Sequence, residues 1–192
     1  MNLPNLLSLS RIPLLFLIVA ALQLSQFFEG KAAIITALLL FMIASLTDWF
    51  DGYLARRAGV VSDFGKCIDP ITDKFLVIGV LIGMQTVSLL PDWSLWIILL
   101  ILLRELMVTA LRQIASYKGQ ILSSAKDGKW KAGLQMFAIC LIMVAQAIEA
   151  QESGLASVLD QLGLLLLIGA TGLGLTSGIR YWLEYALKRR HP

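Results

Sequence analysis

Charge is scarce in this chain. Only 15% of its residues are Asp, Glu, Lys or Arg, 58% are hydrophobic, and the mean hydropathy is +0.79. A water-soluble domain of this length needs a far more polar surface, so that class is excluded. Cysteine is nearly absent. Cys67 and Cys140 offer no disulfide framework and no metal-site spacing, and both read as small buried hydrophobes. His191 reads as a solvated tail residue. The N-terminal stretch MNLPNLLSLSRIP lacks the basic start of a cleaved signal, and Arg11 stands ahead of the long apolar run. Low-complexity tracts and a clear internal repeat are lacking too, so one compact domain over 1–192 is expected.

What the chain has instead is long apolar runs. A bilayer core of about 30 Å needs roughly 20 apolar helical residues per crossing. Six such segments are expected, near 11–28, 32–57, 66–89, 92–117, 128–150 and 156–187. Lipid leaves unpaired backbone groups unsatisfied, so the spans are expected as helices. The expected fold class is therefore all-α integral membrane, with six transmembrane helices. Residues 2–9, NLPNLLSL, are too short to cross and are expected as a short N-terminal interfacial helix. Six crossings put both termini on one side. That side carries Arg11, Arg56, Arg57, Lys118, Lys126, Lys129, Lys131, Lys188, Arg189 and Arg190, while the opposite connections carry Lys31 alone among acids. The excess of basic residues places both termini in the cytoplasm. The net charge of +3 follows from this bias and calls for no nucleic-acid partner.

One stretch breaks the apolar pattern. DWFDGYLARRAGVVSDFGKCIDPITDK, from Asp48 to Lys74, lies between two of the most apolar segments of the chain. On a helix, Asp48, Asp51, Gly52, Ala55 and Arg56 fall on one face, and Asp69 and Asp73 share a face of the next helix. The short AGVVSDFG connection suggests that the two helices are antiparallel neighbours. Four converging carboxylates at a membrane boundary repel one another, and each is costly there alone. A hard divalent cation relieves both problems, because Mg²⁺ prefers oxygen ligands and shares its shell with phosphates. Gly52 lets a ligand approach the helix closely, and Arg56, one turn on, suits a phosphate. These residue types suggest a metal–phosphate site open to the cytoplasm. The competing reading is a set of interhelical salt bridges, in which Arg56, Arg57, Lys66 and Lys74 neutralise the acids.

The pattern Asp48-x2-Asp51-Gly52-x2-Ala55-Arg56-x8-Gly65-x3-Asp69-x3-Asp73 resembles the signature of the CDP-alcohol phosphatidyltransferase family at every fixed position. The resemblance implies a six-helix membrane bundle, usually a homodimer, in the bacterial cytoplasmic membrane. It implies transfer of a phosphatidyl or similar group from a CDP-linked donor to an alcohol, with CMP leaving. By the same resemblance Asp48, Asp51, Asp69 and Asp73 match the metal-associated acids, with Mg²⁺ (or Mn²⁺), in two ions, as the cofactor. Asp73 also matches the general base on the acceptor hydroxyl. Gly52 and Arg56 match donor-contacting positions, and Ser62 falls where the family often has Ser or Thr near the donor phosphates.

Three further stretches bear on the acceptor. NLPNLLSLSRIPL, RELMVTALR (Arg104 to Arg112) and GKWKAGLQM (Gly128 to Met136) resemble the branch of that family that uses CDP-diacylglycerol as donor and sn-glycerol 3-phosphate as acceptor. This resemblance places Asn5 and Ser8 with the donor-binding positions. Glu105, Thr109 and Arg112 share a helical face, and Arg104 lies about 100° away. Basic residues inside a span face a cavity or a partner, and an acceptor phosphate needs cations where a neutral polyol does not. Arg104, Arg112, Lys129 and Lys131 are thus the expected acceptor-phosphate ligands. The bland alternative makes Arg104–Glu105 a structural ion pair and the lysines topology signals. Arg180 reads equally as a phosphate ligand or as a partner of Glu184 at i, i+4. Sibling transferases acting on phosphatidylglycerol or inositol are the nearest rival function. A divalent-cation transporter is a rival of another class, but its acids belong near the midplane with access from both sides.

Overall fold

The structure, a computed structural model, describes the backbone at residues 3–27, 30–58, 63–117, 127–148 and 154–190. Within those ranges the side chains of 3–9, 48–58, 63–71, 73, 116, 127–130 and 188–190 lie outside the described set. All regular structure among the described residues is helical: α1 (Leu3–Leu24), α2 (Gly30–Ala58), α3 (Asp63–Thr86), α4 (Ser94–Tyr117), α5 (Asp127–Ile148) and α6 (Gly154–Arg190). Four of them, α2, α4, α5 and α6, contain stretches long and apolar enough to cross a membrane. The apolar parts of α1 and α3 are shorter, at Ser10–Leu24 and Lys74–Thr86.

One expectation is corrected here. The N-terminal residues do not form a separate interfacial helix, because residues 3–24 run as one helix. Pro4 falls in its first turn, where the missing N–H has no helical partner to lose. Pro13 gives up one helical hydrogen bond, which membrane helices tolerate. The expected antiparallel pairing of α2 and α3 falls on 48–71, whose side chains lie outside the described residues; among the described residues α1 packs against both helices.

The contacts close into a ring. α1 packs on α2, α2 on α5, α5 on α6, α6 on α4, α4 on α3, and α3 on α1. Its interior is filled by Ile18 and Leu22 of α1, Phe41 of α2, Leu76, Leu81 and Met84 of α3, Ile98 of α4, Ile139 and Ile142 of α5, and Leu167 of α6. Glycine permits the closest approaches. A Cβ on Gly79 would sit 2.6 Å from Leu15, and one on Gly163 would sit 2.6 Å from Ile142 and 3.1 Å from the Ala138 carbonyl. The outer surface is apolar as well: Phe16 and Trp96 are each 70% exposed, in company with many leucines and isoleucines. Such a surface has lipid as its solvent.

At one end the ring is closed by a turn after α3. Ser88 N–H donates to the Gln85 carbonyl at 3.2 Å and Leu89 N–H to that of Met84 at 3.0 Å. Ser88 has φ 58°, so this is a Schellman closure with a serine where glycine is usual. Ser94, at the start of α4, hydrogen-bonds Gln85. Gln23 of α1 donates to Thr86 at 2.8 Å.

Candidate active site

Opposite that turn, charge enters the bundle. Arg104, Glu105 and Lys131 are only 8%, 9% and 5% exposed. A carboxylate buried among apolar helices is strongly unfavourable unless paired and hydrogen-bonded, and here the pairing comes from three helices. From α4, Arg104 Nη1 donates to Glu105 Oε1 at 2.7 Å. From α5, the Lys131 ammonium donates to the same oxygen. From α3, Lys74 Nζ lies 3.6 Å from Glu105 Oε2 and donates to Thr109 Oγ1. Thr109, one turn beyond Glu105 on the same face, donates in turn to the Glu105 carbonyl at 2.7 Å.

The fourth wall is α6. Arg104 Nε donates to the Gly174 carbonyl at 2.9 Å, and Arg104 Nη2 donates to Ser177 Oγ. Ser177 Oγ donates in turn to the Gly174 carbonyl at 2.9 Å. The arginine stem runs across a glycine: a Cβ on Gly178 would lie 3.3 Å from Arg104 Cγ. Arg104 is therefore oriented by α6 and charge-paired by α4. Gln135 and Thr171, both buried, line the small cavity beside Glu105 and Lys131. Rigid helices, rather than loops, supply every group, which suits recognition of a small anion.

The expected acceptor ligands are thus divided. Arg104 and Lys131 meet through Glu105. Arg112 does not join them. It lies seven residues along α4, about 10 Å further, where Nη2 donates to Tyr181 OH at 2.6 Å and the guanidinium sits 5.0 Å from that ring's centroid. The side chain of Lys129 lies outside the described residues. Sequence reasoning assigned Lys74 only to charge neutralisation of the aspartates, and it left Glu105 out of the site. Their one signal was position: Lys74 directly follows Asp73, and Glu105 stands one turn before Thr109.

The acidic stretch is placed by its backbone alone. Asp48, Asp51, Gly52 and Arg56 fall in the last turns of α2, and Asp69 and Asp73 in the first half of α3. Asn5 and Ser8 belong to the first turns of α1. The side chains at these positions lie outside the described residues, as does Ser62 altogether. Four aspartates are a donor set of hard oxygens, which fits a hard divalent cation. Arg11 is buried on α1, and Arg180 lies on α6.

A family model for CDP-alcohol phosphatidyltransferases matches residues 1–178. A Bacillus subtilis protein named CDP-diacylglycerol–glycerol-3-phosphate 3-phosphatidyltransferase is 35% identical over 154 residues, covering 74% of this chain and 77% of its own. A Rickettsia felis protein of the same name is 35% identical over 184 residues, covering 94% and 93%. A Mycobacterium tuberculosis protein named probable phosphatidylglycerophosphate synthase is 39% identical over 146 residues, covering 74% and 66%.

Proposed function

Because the chain belongs to the CDP-alcohol phosphatidyltransferase family, we propose that it transfers the phosphatidyl group of CDP-diacylglycerol to the primary hydroxyl of sn-glycerol 3-phosphate. The products are phosphatidylglycerol phosphate and CMP. The names of its relatives supply donor and acceptor. The observation in this molecule that carries the acceptor assignment is the convergence of half-buried Lys74 with buried Arg104 and Lys131 beside one carboxylate. Neutral inositol has no use for that much positive charge.

In this reading Asp48, Asp51, Asp69 and Asp73 hold Mg²⁺, or Mn²⁺, in two ions. When bound, the metal neutralises the donor pyrophosphate and the charge developing on the leaving CMP. Gly52 leaves room for the donor against α2, while Arg56, Ser62, Asn5 and Ser8 contact it. Asp73 accepts the proton of the attacking hydroxyl. Arg104 and Lys131 hold the acceptor phosphate, with Arg112 and Lys129 nearer the mouth of the site. The diacyl tails of the donor stay in lipid, against the apolar outer surface.

The same reading sets the chain across a bacterial cytoplasmic membrane six times, with both termini and the site on the cytoplasmic side, and pairs it as a homodimer. At 1.5 Å per residue, α1 and α3 are long enough to span about 30 Å even though their apolar parts are short. The basic residues gathered at one side support the orientation.

The test is CMP release by the purified chain in detergent, with CDP-diacylglycerol, Mg²⁺ and, in parallel, glycerol 3-phosphate, inositol, serine or phosphatidylglycerol. Release with glycerol 3-phosphate alone is expected. Release with inositol or phosphatidylglycerol and none with glycerol 3-phosphate would replace this reading with a sibling activity. No release with any acceptor would return the transporter reading.

A further inference from the structure

A structural ion pair between Arg104 and Glu105 needs one cation. Glu105 has three: Arg104 and Lys131 on Oε1, and Lys74 facing Oε2. They come from α3, α4 and α5, and all lie within or beside the apolar interior. Without the carboxylate, three like charges brought together there would repel. With it, the cluster keeps, among the described residues, two more positive charges than negative ones. Two of the cations are also aimed by neutral groups: Arg104 by Gly174 O and Ser177, and Lys74 by Thr109. An ammonium has three donors. Among the described residues Lys131 spends one of them on Glu105.

That surplus has a natural complement. A phosphate monoester carries roughly −1.5 to −2 at neutral pH. A phosphodiester carries one negative charge and a polyol none. Only the monoester neutralises the cluster and uses the remaining N–H donors with its terminal oxygens.

We propose that Glu105 is a positioning residue for the acceptor. It gathers Lys74, Arg104 and Lys131 into one site whose surplus charge selects a phosphomonoester, and Lys74 is a ligand of that phosphate. The proposal rests on the transferase reading above and deepens it. Glu105 touches neither the reacting hydroxyl nor the donor; it acts through the three cations. Lys74 ties the two ends of the acceptor to one helix, because it directly follows Asp73, the proposed proton acceptor.

The experiment compares two acceptors on each variant: glycerol 3-phosphate, a dianion, and its methyl phosphodiester, a monoanion. Both leave the attacking hydroxyl unchanged. CMP release from CDP-diacylglycerol gives kcat and KM. Lys74→Gln is expected to lower kcat/KM for glycerol 3-phosphate about 10- to 100-fold, the size of one lost charge-assisted bond. The methyl ester should fall far less, so the preference between them collapses. Glu105→Gln is expected to raise the acceptor KM about tenfold, with kcat and the donor KM near wild type. Its preference for the dianion should persist, because the positive surplus remains. Equal losses for both acceptors in Lys74→Gln would overturn the phosphate assignment. An unchanged acceptor KM in Glu105→Gln, or a loss confined to kcat, would overturn the positioning role. If Glu105→Gln does not fold, Lys74→Gln still decides, since Lys74 is only half-buried. Wild-type protein that releases no CMP with glycerol 3-phosphate would sink the transferase reading itself, and is thereby distinct from failure of this inference.

Discussion

Helix α3 has polar groups at both ends of its apolar run, and the two ends are built on different chemistry. Near Thr86 the groups are neutral, and each is answered by another neutral group of the protein: Gln23 of α1 donates to Thr86, Ser94 of α4 bonds Gln85, and the Ser88 turn returns N–H groups to Met84 and Gln85. Near Lys74, roughly 18 Å back along the helix, the groups are charged, drawn from three helices and, among the described residues, left with an excess of one sign. Neutral hydrogen bonds that begin and end within the protein close a bundle. Buried charges that do not cancel call for something from outside. The contrast sets a neutral end apart from a charged one, and the proposed site lies at the charged end.

The largest test of that contrast lies just beyond Lys74. Asp73→Asn keeps the side chain's shape but removes its charge and its basicity, and CMP release should fall on the order of 10²–10⁴-fold. Added Mg²⁺ should not restore it. Asp48→Asn should recover in part at high Mg²⁺, because its loss is one of metal binding. Equal recovery of both variants would make Asp73 chiefly a metal ligand. Chelation of the wild type should abolish CMP release, and full activity in excess chelator would remove metal from the charged end.

A smaller effect is expected within the cation cluster. Lys131→Gln should raise the KM for glycerol 3-phosphate about 10- to 100-fold, the size of a charged hydrogen bond, with CDP-diacylglycerol binding unchanged. Arg112→Gln should cost at most about tenfold, because that guanidinium is engaged with Tyr181 rather than Glu105. Arg112→Gln exceeding Lys131→Gln would shift the acceptor site along α4 and blur the comparison.

At the neutral end the effects belong to stability alone. Thr86→Val removes the acceptor of the Gln23 bond and should cost about 0.5–1.5 kcal/mol in detergent unfolding, with CMP release unaltered. A catalytic loss there as large as that of Lys131→Gln would break the distinction between the ends. The smallest change runs the other way. Ser88→Gly relieves a left-handed conformation in a non-glycine residue and should stabilise by about 1 kcal/mol, measured as a rise in Tm.

Much of this molecule was legible from residue order alone. Long apolar runs announce helices, because lipid allows few other ways to satisfy the backbone. The helical face shared by Asp48, Asp51 and Gly52 is readable in the same way, since the rise and turn of a helix are known in advance, while the side chains on it lie outside the described residues. The division of the N-terminal residues into two helices was not correctly readable, because a stretch too short to cross by itself can equally be the first turns of a longer helix. Nor was the helix order around the ring. Apolar side chains that face lipid and those that face protein have the same chemistry, so hydropathy does not say which side of α2 meets α5 or that α1 packs against both α2 and α3. Periodicity put Glu105, Thr109 and Arg112 on one face of α4. Only the packing of α3, α5 and α6 around that face brought Lys74 and Lys131 to Glu105 and left Arg112 with Tyr181. A charge buried in a low-dielectric bundle takes its partners from whichever helices reach it, and that is a property of three dimensions.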